Sequence, residues 1–384
     1  MGSSMKVVLQ KDLRQNGFFS KPVFLDKGYV LLSPETPVSQ ELINRLAKWE
    51  FREVYSEGDS VDNIIGVTDE GNAVKEGIVV EGTGDREVLS SVRGYLEGYI
   101  DYVEGLYNRF VTNSELKFAD LMERMRQLCE ILAQNRRFVL RALSLVPPNR
   151  NYLISHAVTT SIVSILLGTT LKMPLPRVME LGAAAVLHEI GMVKLPSNLF
   201  MTNRRLTPEE KRRVTAHTVL GYTVLKEFQV PLAVQLAALE HHERVNGSGY
   251  PRGMGGDHIS LYAKIIMVAC SYDAVTAPRP HREGKESHEG ILDLLRNEGR
   301  QYDDLIIKAL VLTLSIYPIG SLVMLSNGSR AVVIDTQPDN PRLPLVQILG
   351  SVNPDGSEVK IKTSEDGVRI LRALSKAESA DIRQ

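Results

Sequence analysis

Every histidine of this chain lies between His156 and His288, inside a stretch that reads as one apolar helical segment after another. An even spread of the eight histidines over 384 residues would place only about three there. The fold must therefore bring imidazoles from distant helical segments to one place. Neutral imidazole is the commonest protein ligand for transition metals, and it needs carboxylate neighbours to build a site of useful charge. The candidates are His156, the adjacent His188-Glu189 before Ile190-Gly191, His217, and the adjacent His241-His242 before Glu243. Gly249-Tyr250-Pro251 follows as a tight loop. Alone, His156 beside Ile154, Val158 and Ile162 reads as a hydrogen-bonded core histidine, and His217 as a partly exposed surface one. Two adjacent bulky imidazoles near a helix end gain little from packing, so His241 and His242 ask for a chemical reason. Together the set offers up to five nitrogens and one carboxylate from four segments, a stoichiometry suited to two borderline metals such as Fe, Mn or Zn. On a helix the side chains of His188 and Glu189 would diverge by about 100°. Both would then serve one centre only if it lay over the face between them, with the carboxylate bridging.

The chain is long enough for two or three domains, and its 43% hydrophobic content can bury a sizeable core. A formal net charge of −1 gives no bulk attraction to DNA, RNA or an anionic membrane. Two cysteines far apart, Cys129 and Cys270, argue against a disulfide framework and for a reducing compartment. No apolar run approaches the roughly 20 residues needed to span a bilayer, and no signal peptide is evident. A cytoplasmic protein is expected.

Residues 5–57 read as a small N-terminal α+β domain. Short β-like runs (Val7 to Leu9, Val23 to Leu25, Tyr29 to Leu32) precede a helix from Ser39 to Trp49 and a closing strand from Phe51 to Tyr55. Residues 58–84, rich in Gly and Asp, suit a linker. Residues 85–148 read as connecting helices. Val88, Val92, Tyr95, Tyr99, Tyr102, Leu106 and Phe110 step by three and four, a stripe that faces a core or a dimer partner. Pro147-Pro148 breaks the second helix. Residues 149–317 form the main helical domain, in which Thr207-Pro208-Glu209-Glu210 has the composition of a helix start. Residues 318–384 turn β-rich, with strands at Leu322 to Leu325, Ala331 to Ile334 and Leu345 to Leu349, the first two flanking an Asn327-Gly328 hairpin turn.

In this order, His156, Leu187-His188-Glu189-Ile190-Gly191, His217, His241-His242-Glu243-Arg244, Asn246 through Pro251, Val268-Ala269-Cys270 and Arg279-Pro280-His281-Arg282 resemble the HD-GYP family of metal-dependent phosphodiesterases. The resemblance implies a mainly α fold: an HD-type helical bundle with a small N-terminal α+β domain and a short β-rich C-terminal extension. It implies hydrolysis of cyclic di-GMP by a metal-activated water. Two divalent transition metals (Fe, Mn or Zn) would be held by His156, His188, Glu189, His217, His241, His242 and Cys270, with Glu189 the bridging, catalytic carboxylate. Gly249, Tyr250, Pro251, Asp273, Arg279 and Arg282 would meet substrate, the arginines as phosphate clamps. A homodimer and a signalling partner protein are further expectations.

The departures from the family pattern fall on chemical positions. The family's His-Asp is His188-Glu189 here, one methylene longer. Its lysine three residues after that acid is Met192, and Lys194, two residues on, would point elsewhere on a helix. A glutamate that often precedes the first histidine is Tyr152, the aspartate of the Val-Ala-Asp run is Cys270, and Asn246 replaces an aspartate. A thiolate at 270 would favour Zn; a buried, inert thiol is the other reading. Two functions follow: a phosphodiesterase, weak because of these substitutions, or a catalytically silent cyclic di-GMP receptor or protein-interaction module on the same fold. A helical scaffold with structural histidines is the blandest reading.

Overall fold

A computed structural model describes residues 6–15, 18–19, 23–24, 30–32, 38, 40–48, 52–56, 60–61, 83–143, 151–196, 199, 204, 206–277, 284–337, 340–375 and 378–379. The contacts divide the chain into two units, one of Met1–Glu81 with Gly320–Gln384 and one of Gly82–Ile319.

The first unit is built on strands. In its N-terminal part, β1 (Lys6–Leu9), β3 (Val23–Phe24), β4 (Val30–Leu32) and β5 (Glu53–Ser56) form a sheet in the order β1-β5-β3-β4, with α1 (Gln40–Lys48) lying between β4 and β5 in the chain. Two further short strands, β2 (Phe18–Phe19) and β6 (Ser60–Val61), pair antiparallel. The C-terminal part is a five-stranded antiparallel sheet of order β10-β9-β8-β7-β11. Its strands are β7 (Leu322–Leu325), β8 (Arg330–Asp335), β9 (Leu345–Val352), β10 (Glu358–Lys362) and β11 (Ile370–Ala373). The expected hairpin joins β7 to β8, with Gly328 at φ +81° as such a turn requires.

The second unit is helical. Its elements are α2 (Thr83–Asn113), α3 (Phe118–Leu143), α4 (Tyr152–Thr170), α5 (Leu175–Leu187), α6 (Pro208–Thr215), α7 (His217–Glu227), α8 (Leu232–Glu240), α9 (Leu261–Thr276), α10 (Ser287–Arg296) and α11 (Asp304–Leu314). Helix α4 is the hub. It packs on α2, α3, α5, α9 and α11, and a run from Ala157 to Leu167 is buried almost without interruption because neighbours surround it. Among the described residues it is the one helix long and apolar enough to cross a membrane by length and composition; 78% of that window is buried inside the fold. The sequence reading, which counted no such run, is corrected here. The apolar stripe of α2 turns inward. Val92, Tyr99, Leu106 and Phe110 are buried, while Val88, Tyr95 and Tyr102 lie at its edge. The Tyr99 hydroxyl lies 2.7 Å from Ser161 Oγ on α4, and Tyr107 donates to the Val186 carbonyl at 2.8 Å, tying α2 to the last turn of α5. The start of α6 carries a complete capping box, Thr207 with Glu210. Pro147-Pro148 lies outside the described residues.

Candidate metal centre

The site is assembled from helix ends. Helix α5 stops at Leu187; His188 is its C-cap, and Glu189 sits at φ −97°, ψ 9°, where the chain tightens into a 3₁₀ turn from Ile190 to Lys194. The expectation that His188 and Glu189 share a regular helix is thus corrected. The break in the helix lets neighbouring side chains turn to one centre. Gly191 makes the next approach possible: a Cβ there would lie 2.0 Å from the His217 carbonyl oxygen. That contact seats the 3₁₀ turn on α7 and brings Glu189 Oε2 to 3.4 Å from His217 Nε2. His217 is itself buried at the first position of α7, not partly exposed, because α6 ends at Thr215 and a new helix starts after Ala216. His241 caps the end of α8, with His242 beside it.

Two clusters result, both within the helical unit. His156, His188 and Cys270 each offer a donor atom within 4.8 Å of the others, and so do Glu189, His217, His241 and His242. Hydrogen bonding fixes how the imidazoles face. His188 Nδ1 lies 2.7 Å from the Ala185 carbonyl, His217 Nδ1 2.7 Å from that of Val214, and His241 Nδ1 3.0 Å from that of Ala238. A carbonyl accepts only, so each Nδ1 carries the proton and donates it. His156 Nδ1 is held by Asp273 Oδ2 at 2.5 Å. The Nε2 atoms then meet in pairs, His156 with His188 at 3.4 Å and His217 with His241 at 3.3 Å. Facing lone pairs at these distances repel unless a cation lies among them. A proton can bridge two nitrogens; a cluster of three imidazoles and a carboxylate is the donor set of a metal ion. Glu189 Oε2 is buried with no hydrogen-bond partner, a costly state for a carboxylate oxygen that a metal ion would relieve.

The charge states of Glu189, Cys270, His241 and His242 suit that occupant. Burial pushes the Glu189 carboxyl up, but the imidazoles of His217, His188, His242 and His156 outweigh it and bring it to about 2. Burial likewise opposes ionisation of Cys270, yet His156 and His188 hold its thiol down at about 6. His241 and His242 are kept neutral, chiefly by burial. For His156, burial is outweighed by Tyr152, Cys270 and Asp273, which raise it well above the ordinary range. A deprotonated carboxylate, a thiolate and neutral imidazoles are the forms that bind metal; His156, held protonated by those neighbours, would have to release its Nε2 proton to the solvent to join them.

The Gly-Tyr-Pro loop closes one side. The Tyr250 ring stacks on His242 with centroids 4.7 Å apart and planes at 20°. Gly249 passes so near the backbone of Glu243 and Arg244 that a Cβ would lie 2.4 Å from it, and the Tyr250–Pro251 peptide is cis. Sequence reasoning missed what holds this loop. Glu243 is fully buried and accepts from the Arg252 and Met254 amides at 2.8 and 3.0 Å, while buried Glu240 accepts from the Ser260 amide at 2.8 Å and pairs with the Arg252 guanidinium. The signal was two acids flanking a histidine pair, which a search for ligands reads as more ligands. Asp273 was expected to meet substrate; it is 4% exposed, with its Oδ2 on His156, whose imidazole it holds. Tyr152 stacks on the same imidazole at 5.4 Å. Met192 is buried in the 3₁₀ turn, and Lys194 lies over the Phe110 ring at 4.9 Å. Arg279 and Arg282 lie outside the described residues.

The family profile of the HD domain matches residues 129–306. The chain is 34% identical over 225 residues to cyclic di-GMP phosphodiesterase PA4108 of Pseudomonas aeruginosa, covering 58% of this chain and 54% of that protein. It is 27% identical over 225 residues to cyclic di-GMP phosphodiesterase PdeB of Borreliella burgdorferi, covering 57% and 59%. The chain thus spans somewhat over half the length of these relatives. A solved structure of Bd1817, a HDG"Y"P protein from Bdellovibrio bacteriovorus, is similar at 16% identity with a TM-score of 0.49, over 80% of this chain and 98% of that one. With its helix-end histidines, its buried acid and its Gly-Tyr-Pro loop, the helical region of this chain matches the HD domain over residues 129–306 and is similar to these cyclic di-GMP phosphodiesterases.

Proposed function

We propose that this chain is a metal-dependent phosphodiesterase acting on a cyclic dinucleotide, with cyclic di-GMP its substrate. The observation that carries the reading is the facing Nε2 pairs beside the orphaned Glu189 oxygen, since metal ions would satisfy all of these donors together. His156, His188 and Cys270 would hold one divalent ion and Glu189, His217, His241 and His242 the other. When bound, such ions supply Lewis-acid activation of a phosphate ester and of the water that attacks it. The chain's own residues do the rest. Backbone carbonyls and Asp273 aim the imidazoles in advance, so binding a metal needs little rearrangement. Tyr250 presents an aromatic face beside His242, where a base or sugar can pack. Arg279 and Arg282 would neutralise the phosphates. Glu189, a member of the second cluster, would be the carboxylate shared between the two ions.

One observation favours a second reading, a silent receptor for the same nucleotide. Met192 cannot hold a phosphate, and the nearest lysine in that segment, Lys194, has its ammonium over the Phe110 ring. Loss of a cation used mainly in the transition state lowers turnover more than binding. The chain, prepared anaerobically and loaded with Fe, Mn or Zn, is incubated with cyclic di-GMP, and free and retained nucleotide are resolved by chromatography. A linear dinucleotide or GMP, absent with His188→Ala, supports the enzyme. Intact cyclic di-GMP retained on the protein supports the receptor. Neither would overturn both. If the missing cation limits turnover, Met192→Lys raises the rate in this assay with metal content unchanged.

A further inference from the structure

We propose that the two halves of this centre select different metals: His156, His188 and the Cys270 thiolate form a soft site for a zinc-type ion, and Glu189, His217, His241 and His242 a harder site for a second ion. The proposal rests on reading the site as a metal centre.

The donor sets differ in kind. One cluster contains a sulfur and two nitrogens, the other a carboxylate oxygen and three nitrogens. Thiolate selects soft and borderline ions such as Zn, whereas carboxylate with imidazole suits Fe and Mn at least as well. The placement of Cys270 makes it a ligand and not a bystander. It is buried on α9, three residues before Asp273, so the two side chains share a face of that helix. Asp273 Oδ2 takes His156 Nδ1, which sends His156 Nε2 toward His188 Nε2, 3.4 Å away. One turn of α9 thus supplies both a ligand and the acid that aims its partner. Cys129, the other cysteine, shows what an inert buried thiol looks like: it lies in α3 in a row with buried Met125, Leu128 and Leu132 and belongs to no donor cluster among the described residues. Metal binding takes Cys270 as the thiolate, any remaining thiol proton leaving to solvent, and no redox change is involved.

The test is optical. The metal-free full chain is titrated with Co(II), and bound cobalt is counted in parallel by elemental analysis. Two cobalt ions are expected to bind, with a near-ultraviolet thiolate-to-cobalt charge-transfer band that saturates after one equivalent and that zinc removes first. Cys129→Ser should keep the band. Cys270→Ser and Cys270→Asp should lose it, the second while still holding two ions. Cobalt bound by the wild-type chain without a charge-transfer band overturns the thiolate site and leaves the metal centre standing, a result independent of how any variant folds. A band that survives Cys270→Asp also overturns it. No cobalt retained at all overturns the metal centre itself.

Discussion

At Gly191 the smallest side chain decides whether the centre exists. A methyl group there would sit 2.0 Å from the His217 carbonyl oxygen and 2.5 Å from the Gly221 nitrogen, backbone atoms that cannot yield as a side-chain end would. Gly191→Ala should separate the 3₁₀ turn from α7, cost about 1–3 kcal/mol as overpacking does, and release the ion held by Glu189 and His217. Thermal melts with metal analysis will show both effects, and a variant that keeps its full metal content would mean the two segments can part without disturbing the ligands. His288 makes a separate prediction. Burial lowers its folded-state pKa from 6.5 to about 4. Between those values the unfolded chain takes up a proton that the folded one refuses, so stability falls as pH drops from 6.5 toward about 4. His288→Gln should flatten urea-midpoint against pH in that window; an unchanged slope would mean other groups set it. At this scale the gathering of the histidines was legible in sequence, because adjacent bulky imidazoles near a helix end gain little from packing. The roles of Asp273, which holds His156, and of Glu240 and Glu243, which hold the loop, were not, since a carboxylate's partner is known only once its hydrogen bonds are seen.

Among the elements, α4 begins one turn before His156, so its first turn is part of the site's geometry. Asn151 caps it, accepting from the Leu153 amide at 3.1 Å. Asn151→Ala should cost about 1 kcal/mol, seen as a lower denaturant midpoint with unchanged slope; no shift would assign α4's start to packing alone. Long elements were readable because periodicity accumulates. The stripe of α2 and the start of α6 both appear near where sequence placed them. Strands β10 and β11 escaped. Glu358-Val359-Lys360-Ile361-Lys362 carries three charges in five residues, and both strands lie at sheet edges, where charge is tolerated and the apolar alternation fades. The end of α5 escaped too. Nothing in Leu187-His188-Glu189-Ile190 breaks a helix by propensity; tertiary contact at Gly191 does.

For the molecule as a whole, the proposed metal centre would make the helical body and its ions one thermodynamic system. At a free metal concentration one hundred times Kd, a single ion stabilises the fold by about 2.7 kcal/mol, worth roughly 5–10 °C for a body of this size. Chelation should lower the melting temperature by at least that much and restored metal should return it; indifference to chelation would make the histidines structural. A linear reading divides a chain where composition shifts, but it cannot show that Met1–Glu81 and Gly320–Gln384 gather into one unit, because such contacts are non-local. Each ligand imidazole of His188, His217 and His241 is pinned by a carbonyl three residues upstream. Its aim therefore cannot be adjusted without moving the helix end that carries it. On the proposed metal reading, an ion among them would act as a rivet through the ends of α5, α7 and α8, and a displacement along any one of those axes would be paid in coordination geometry. The centre is in that sense a strain gauge, able to convert small helix movements into gained or lost affinity for its metal.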